Sequence, residues 1–116
     1  MNRITLIGRL TRDPEMKYLQ AGDAVTSFSI AVERPFRNQQ GEREVDFIDI
    51  VTWRKLAENC ADYLAKGLLV AVDGRLQIRT YMAKDGTNRK ATEVVANQVK
   101  FLEWKDKKEA AADVPF

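Results

Sequence analysis

Histidine is absent from this 116-residue chain, and cysteine occurs once, at Cys60. A structural zinc site therefore has almost no ligands to be built from, and no disulfide can close within the chain. The commonest general base is missing too, which leaves nucleophilic triads and histidine-dependent phosphodiesterase chemistry without their proton carrier. Neither an enzyme nor a metal or other cofactor is expected. No apolar run approaches the roughly 20 residues of a membrane span. The opening Met1-Asn2-Arg3 and Ile4 to Ile7 are interrupted by Gly8-Arg9 too soon for a signal-peptide core. A cytoplasmic chain with a reduced thiol is the expectation.

Charge is nearly balanced, with 19 Lys and Arg against 17 Asp and Glu. The distribution says more. Between Gly74 and Lys90 stand Arg75, Arg79, Lys84, Arg89 and Lys90 against the single anion Asp85, a basic stripe on an almost neutral chain. At 13.2 kDa, a folded chain keeps about 6,400 Å² exposed out of about 19,000 Å² when unfolded, enough burial for one core and not two.

Period-two patterns dominate. Asn2 to Leu10 is β-branched and aliphatic and stops at Thr11-Arg12-Asp13-Pro14, where proline ends regular pairing. Val25 to Glu33 alternates, with Phe28, Ile30 and Val32 on one face and Ser27, Ser29 and Glu33 on the other. Arg34 to Glu44 holds Pro35, Asn38 and Gly41 and reads as an exposed loop carrying Phe36. A third strand, Val45 to Arg54, sets Ile48 and Ile50 against Phe47, Asp49, Val51 and Trp53. Lys55 to Lys66 then changes period: Leu56, Cys60 and Leu64 recur every fourth residue, with Gly67 after them, as in a short helix. A fourth strand, Leu68 to Tyr81, opposes Val70, Val72, Leu76 and Ile78 to Arg75, Gln77, Arg79 and Tyr81. Asp85-Gly86 marks a hairpin turn, and Thr92 to Leu102 is the fifth strand.

Five antiparallel strands with one short helix between the third and fourth predict an all-β fold, the five-stranded Greek-key barrel called the OB-fold. Residues 1–104 form that domain, and 105–116 form a short tail in which Lys105, Lys107 and Lys108 cancel Asp106, Glu109 and Asp113.

The chain resembles the bacterial single-stranded DNA-binding protein family, in a short-tailed form. The matching pieces are Asn2 to Leu10 followed by Asp13-Pro14-Glu15, Phe47 through Glu58, Tyr63-Leu64-Ala65-Lys66-Gly67, Asp73-Gly74-Arg75-Leu76, Thr92-Glu93-Val94 and the terminal Pro115-Phe116. The resemblance implies an OB-fold homotetramer that coats single-stranded DNA during replication, recombination or repair, in the cytoplasm and associated with the nucleoid. It also implies recruitment of replication, recombination and repair proteins by the tip Asp113, Val114, Pro115 and Phe116. This tip is less acidic than the family's usual one, and the usual long Gly, Gln and Pro-rich linker is missing, so recruitment is expected to be weaker.

Single-strand binders combine a cationic groove with exposed rings, because every base offers a π-face. Phe36, Phe47, Trp53 and Tyr81 supply rings, and Arg54, Lys55, Arg75, Arg79 and Arg89 supply charge. Two competing readings are a primosomal-type OB-fold interaction module that binds protein partners with secondary DNA contact, and a nuclease whose Asp46, Asp49 or Asp73 would hold Mg²⁺.

Overall fold

The computed structural model describes residues 1–105; the terminal tip from Asp113 to Phe116 lies outside the described residues. Among these, the order is β1 (Ile4–Leu10), β2 (Glu15–Tyr18), β3 (Ala24–Arg37), β4 (Arg43–Trp53), α1 (Arg54–Tyr63), β5 (Leu69–Met82) and β6 (Asn88–Phe101). The sheet runs β1-β5-β6-β4-β3-β2, and β1 also pairs β3 through Arg9–Ala31 and Leu10–Ile30. That last pairing closes five strands into a barrel, the OB-fold expected from the sequence. β2 is an added strand on the outer edge of β3. The sequence pattern misses it because all four of its residues are exposed, so it has no buried face to alternate against.

Alternation becomes burial where the barrel is closed. Leu10, Phe28, Ile30, Ile50, Val70, Val72 and Val94 point inward and pack with Cys60 and Leu64 from the α1 side. A buried threonine ties the helix to the wall, and a second links two wall strands: Thr26 Oγ1 donates to the Ala57 carbonyl at 2.7 Å, and Thr52 Oγ1 donates to the Thr26 carbonyl at 2.9 Å. Burial pushes the Cys60 thiol up to about 12, so it stays protonated at neutral pH. α1 stops at Tyr63, with Leu64 extended as its C-cap, rather than running to Lys66. Gly67 instead serves the following turn, at φ 92°.

One strand pair departs from the all-antiparallel expectation. β4 and β6 run parallel and pair only over Asp49–Glu93, Ile50–Val94 and Val51–Val95, the Greek-key crossing that lets the chain return beside its third long strand. Beyond this contact each of the two strands keeps only its hairpin partner. Two ribbons therefore leave the barrel, one from β3 and β4 and one from β5 and β6. The first makes Arg34 to Arg37 and Arg43 to Glu44 strand rather than loop, and only Asn38 to Glu42 turn. The second carries Leu76 and Ile78, on the same face as Val70 and Val72, past the end of the barrel, where they are 42% and 60% exposed. A register shift lies between Asp73 and Gly74, at the foot of this ribbon. A Cβ at position 74 would run into the Val95 carbonyl and stand only 2.9 Å from Ala96 Cα, so a side chain in place of Gly74 would collide.

Candidate nucleic-acid interface

On the outward face of β4, Phe47, Asp49, Val51 and Trp53 follow one another at every second residue. Phe47 is 71% exposed and Trp53 41%, so neither ring belongs to the core. Six residues of strand separate them by about 20 Å. β5 carries a second row, Arg75, Gln77, Arg79 and Tyr81, and Arg89 lies directly opposite Tyr81 across the hairpin. β6 runs between the rows, which places them about 10 Å apart at the usual strand spacing.

The register ties the rows together level by level. Val51, Val95 and Arg75 form one line across β4, β6 and β5, and Asp49, Glu93 and Gln77 form the next. Past Asp49 and Glu93 the β4–β6 pairing ends, so Phe47 rides on one ribbon while Arg79, Tyr81 and Arg89 ride on the other.

Side-chain contacts hold the β5 row. The Arg79 Nε–H donates to Glu93 Oε1 at 2.8 Å, and Gln77 Nε2 donates to the same oxygen at 3.3 Å. Arg75 Nη1 donates to Gln77 Oε1 at 3.1 Å. The Arg79 guanidinium carbon lies 5.5 Å from the centroid of the Tyr81 ring, within cation–π range. At the hairpin tip, Arg89 pairs with Asp85 at 3.1 Å. Asp85 is held below its usual carboxylate value, mainly by the hydroxyl of Thr87.

Trp53 sits where β4 turns into α1, as the N-cap, with extended backbone at φ −127° and ψ 147°. Arg54 follows at φ 60°, a left-handed conformation unusual for a residue with a side chain. That single turn redirects the chain, and Arg54 reaches Asp23 at 3.6 Å while Lys55 points to solvent at the helix start. These two cations flank the Trp53 end of the face without joining either row. Phe36, 77% exposed, lies near the tip of the β3–β4 ribbon, within the register shift between Glu33 and Arg37.

Of the carboxylates weighed for a metal, Asp46 and Asp73 are engaged elsewhere. Arg34 grips Asp46 through two nitrogens, at 2.9 and 3.1 Å, and Glu44 at 2.7 Å. The Arg34 hydrogen bonds hold the Asp46 carboxyl below its usual value, and Arg3 does the same for Asp73. No group of three His, Cys, Asp or Glu suited to a metal ion occurs among the described residues, nor any helix long and apolar enough to cross a membrane.

Glu93 is the member of the face that sequence reasoning passed over. Its signal was an acid between Ala91 and Val95 on the outward side of a strand otherwise bordered by cations. That signal gains meaning only once β6 is known to lie between the two rows.

The family model described as "Single-strand binding protein family" matches residues 1–102. Similar curated proteins include Single-stranded DNA-binding protein 3 of Listeria innocua, 57% identical over 105 residues, covering 90% of this chain and 66% of that protein. The Single-stranded DNA-binding protein of Oceanobacillus iheyensis is 56% identical over 90% of this chain and 65% of its own length. That of Halalkalibacterium halodurans is 58% identical over 89% of this chain and 61% of its own length. The chain thus spans slightly less than two-thirds of the length of these relatives.

Proposed function

This chain belongs to the single-strand binding protein family, and from that premise we propose that it binds and protects single-stranded DNA without strong sequence preference, in replication, recombination or repair. One observation carries the reading. An exposed aromatic row on β4 and a cationic row on β5 are joined across β6 at the levels of Val51 and Asp49, and run out from there along the two ribbons.

Phe47 and Trp53 offer stacking surfaces to different nucleotides of one strand, and each stacked base contributes about 1 to 3 kcal/mol. Arg75, with Arg54 and Lys55 at the Trp53 end and Arg89 at the ribbon tip, supplies phosphate contacts. Arg79 and Tyr81 together present a plate of guanidinium and ring. Phe36 extends the stacking surface along the β3–β4 ribbon. Stacking is indifferent to a 2′-hydroxyl, so RNA competes where stacking dominates.

Assembly belongs to the same reading. Residues Ile4 to Gly8 pair β5 on one side, while β1 meets β3 only at Arg9 and Leu10. An unpaired edge with Ile7 58% exposed suits pairing with another copy of the chain, as in a homotetramer. Protein partners in replication, recombination and repair would dock at the terminal tip, and the site of action would be the cytoplasm.

The test is a titration with oligo(dT), following tryptophan emission and molecular mass together. Saturating DNA quenches emission, Trp53→Ala removes most of the quench, and the protein alone has a tetramer's mass. An unchanged quench in the Trp53 variant rejects the stacking role, and a monomer mass at micromolar concentration rejects the assembly.

A further inference from the structure

Glu93 is a carboxylate almost wholly enclosed in a face that otherwise recruits phosphate. Its side chain is 7% exposed, while that of its partner Arg79 is 54% exposed. An enclosed carboxylate is costly unless fully engaged, and Glu93 is engaged by Arg79 and Gln77 on one oxygen. Its backbone is fixed on both sides, opposite Gln77 in β5 and beside Asp49 in β4. This is the last level before the two ribbons part, so no mobile segment intervenes between Glu93 and the barrel.

The contact is selective. Glu93 takes the Arg79 Nε–H alone, leaving the four Nη protons of the guanidinium for a ligand. Held by its inner nitrogen, the guanidinium lies over the Tyr81 ring. A free arginine side chain samples many rotamers and loses that freedom on binding; one already held does not.

Resting on the reading of this face as a single-strand DNA site, we propose that Glu93 is a positioning residue that pre-orders Arg79 and Tyr81 as one rigid plate at the root of the β5–β6 ribbon. Its negative charge opposes DNA at long range, and its hydrogen bond favours DNA by ordering Arg79. The two effects separate in a pair of variants that remove the same charge. Glu93→Gln keeps an acceptor for Arg79, and Glu93→Ala does not.

The experiment measures oligo(dT) affinity of both variants in the native background and again with Arg79→Ala. Glu93→Ala should bind about fivefold more weakly than Glu93→Gln, a coupling of ordinary size for contacting residues. With Arg79→Ala present, the two should bind equally. Equal affinities in the native background would overturn the proposal, as would a fivefold difference that survives Arg79→Ala, which would mean that Glu93 acts through barrel structure. Should Glu93→Ala unfold, Glu93→Met fills the space without an acceptor and takes its place in the same comparison. The unsubstituted chain is titrated first: failure to bind oligo(dT) there condemns the DNA reading itself, whereas binding that is indifferent to the Glu93 pair condemns only the positioning role.

Discussion

The closed barrel and the two ribbons are built from the same strands, yet they use alternation for opposite ends. In the barrel, one side of each strand disappears from solvent: Phe28, Ile30, Ile50 and Val72 are fully buried, and their neighbours face out. In the ribbons the strands go on pairing after the barrel has ended, and both faces remain wet. Phe36, Phe47, Ile78 and Met82 are all more than half exposed. A hydrophobic residue reports packing in the first region and availability in the second. The boundary between them is set by two local features, the end of β4–β6 pairing at Asp49 and Glu93 and the register shift at Gly74.

The sharpest way to break this contrast is to truncate a ring in each region. Phe28→Ala should destabilise the fold by about 3 to 5 kcal/mol, read by chemical denaturation. Phe47→Ala should leave stability within about 0.5 kcal/mol, as for a surface site, while weakening oligo(dT) binding by about 1 to 3 kcal/mol. A large stability loss at Phe47 would make it a core residue and erase the distinction.

A gentler probe acts on the boundary itself. Gly74→Ala forces a side chain against the Val95 carbonyl and the Ala96 backbone, and should destabilise by about 1 to 3 kcal/mol in thermal melts, as overpacking does. An unaffected melting temperature would mean that the ribbon can leave the barrel without a glycine.

How much of this was legible beforehand follows the same division. Phe28, Ile30, Ile48 and Ile50 announce the barrel because burial and period two coincide there. The rows Phe47 to Trp53 and Arg75 to Tyr81 were legible as faces, since alternation holds in a ribbon as in a barrel. Leu76 and Ile78 share the face of Val70 and Val72 and yet stay exposed, because alternation says which side a residue takes, not whether anything covers that side. β2 was invisible because Glu15 to Tyr18 buries nothing. The role of Glu93 depends on a parallel pairing with β4, 44 positions away in the chain, and no local pattern carries such a contact.

Within the ribbons, charge should separate free from engaged cations. Arg75→Ala should lower the slope of log K against log salt by about 0.7, one phosphate's share on single strands. Arg89→Ala should lower it less, because Asp85 already pairs with that guanidinium. Equal reductions would show that the Asp85 pairing gives way to DNA.

The smallest effect concerns acid. Asp46 and Asp85, both on the ribbons, have folded values depressed below the ordinary 3.8, chiefly by Arg34 and by Thr87 respectively. A depressed carboxyl adds stability above its unfolded value and loses it as pH falls through the folded one. Asp73, held low by Arg3 beside the start of β1, behaves in the same way. Acidification below about pH 4 should therefore loosen the ribbon ends and the start of β1 before the rest of the barrel, though only slightly, since these pairs are exposed and screened. Amide exchange that rises first in the inner half of β3 would reverse that order.

The most direct measurement is a residue-by-residue map of backbone amide shifts in the presence and absence of oligo(dT). The account predicts changes concentrated at residues 47–53 of β4, 75–81 of β5 and 88–95 of β6, with β2 and the middle of α1 unmoved. Changes centred on β2 and α1, with the two rows silent, would contradict it.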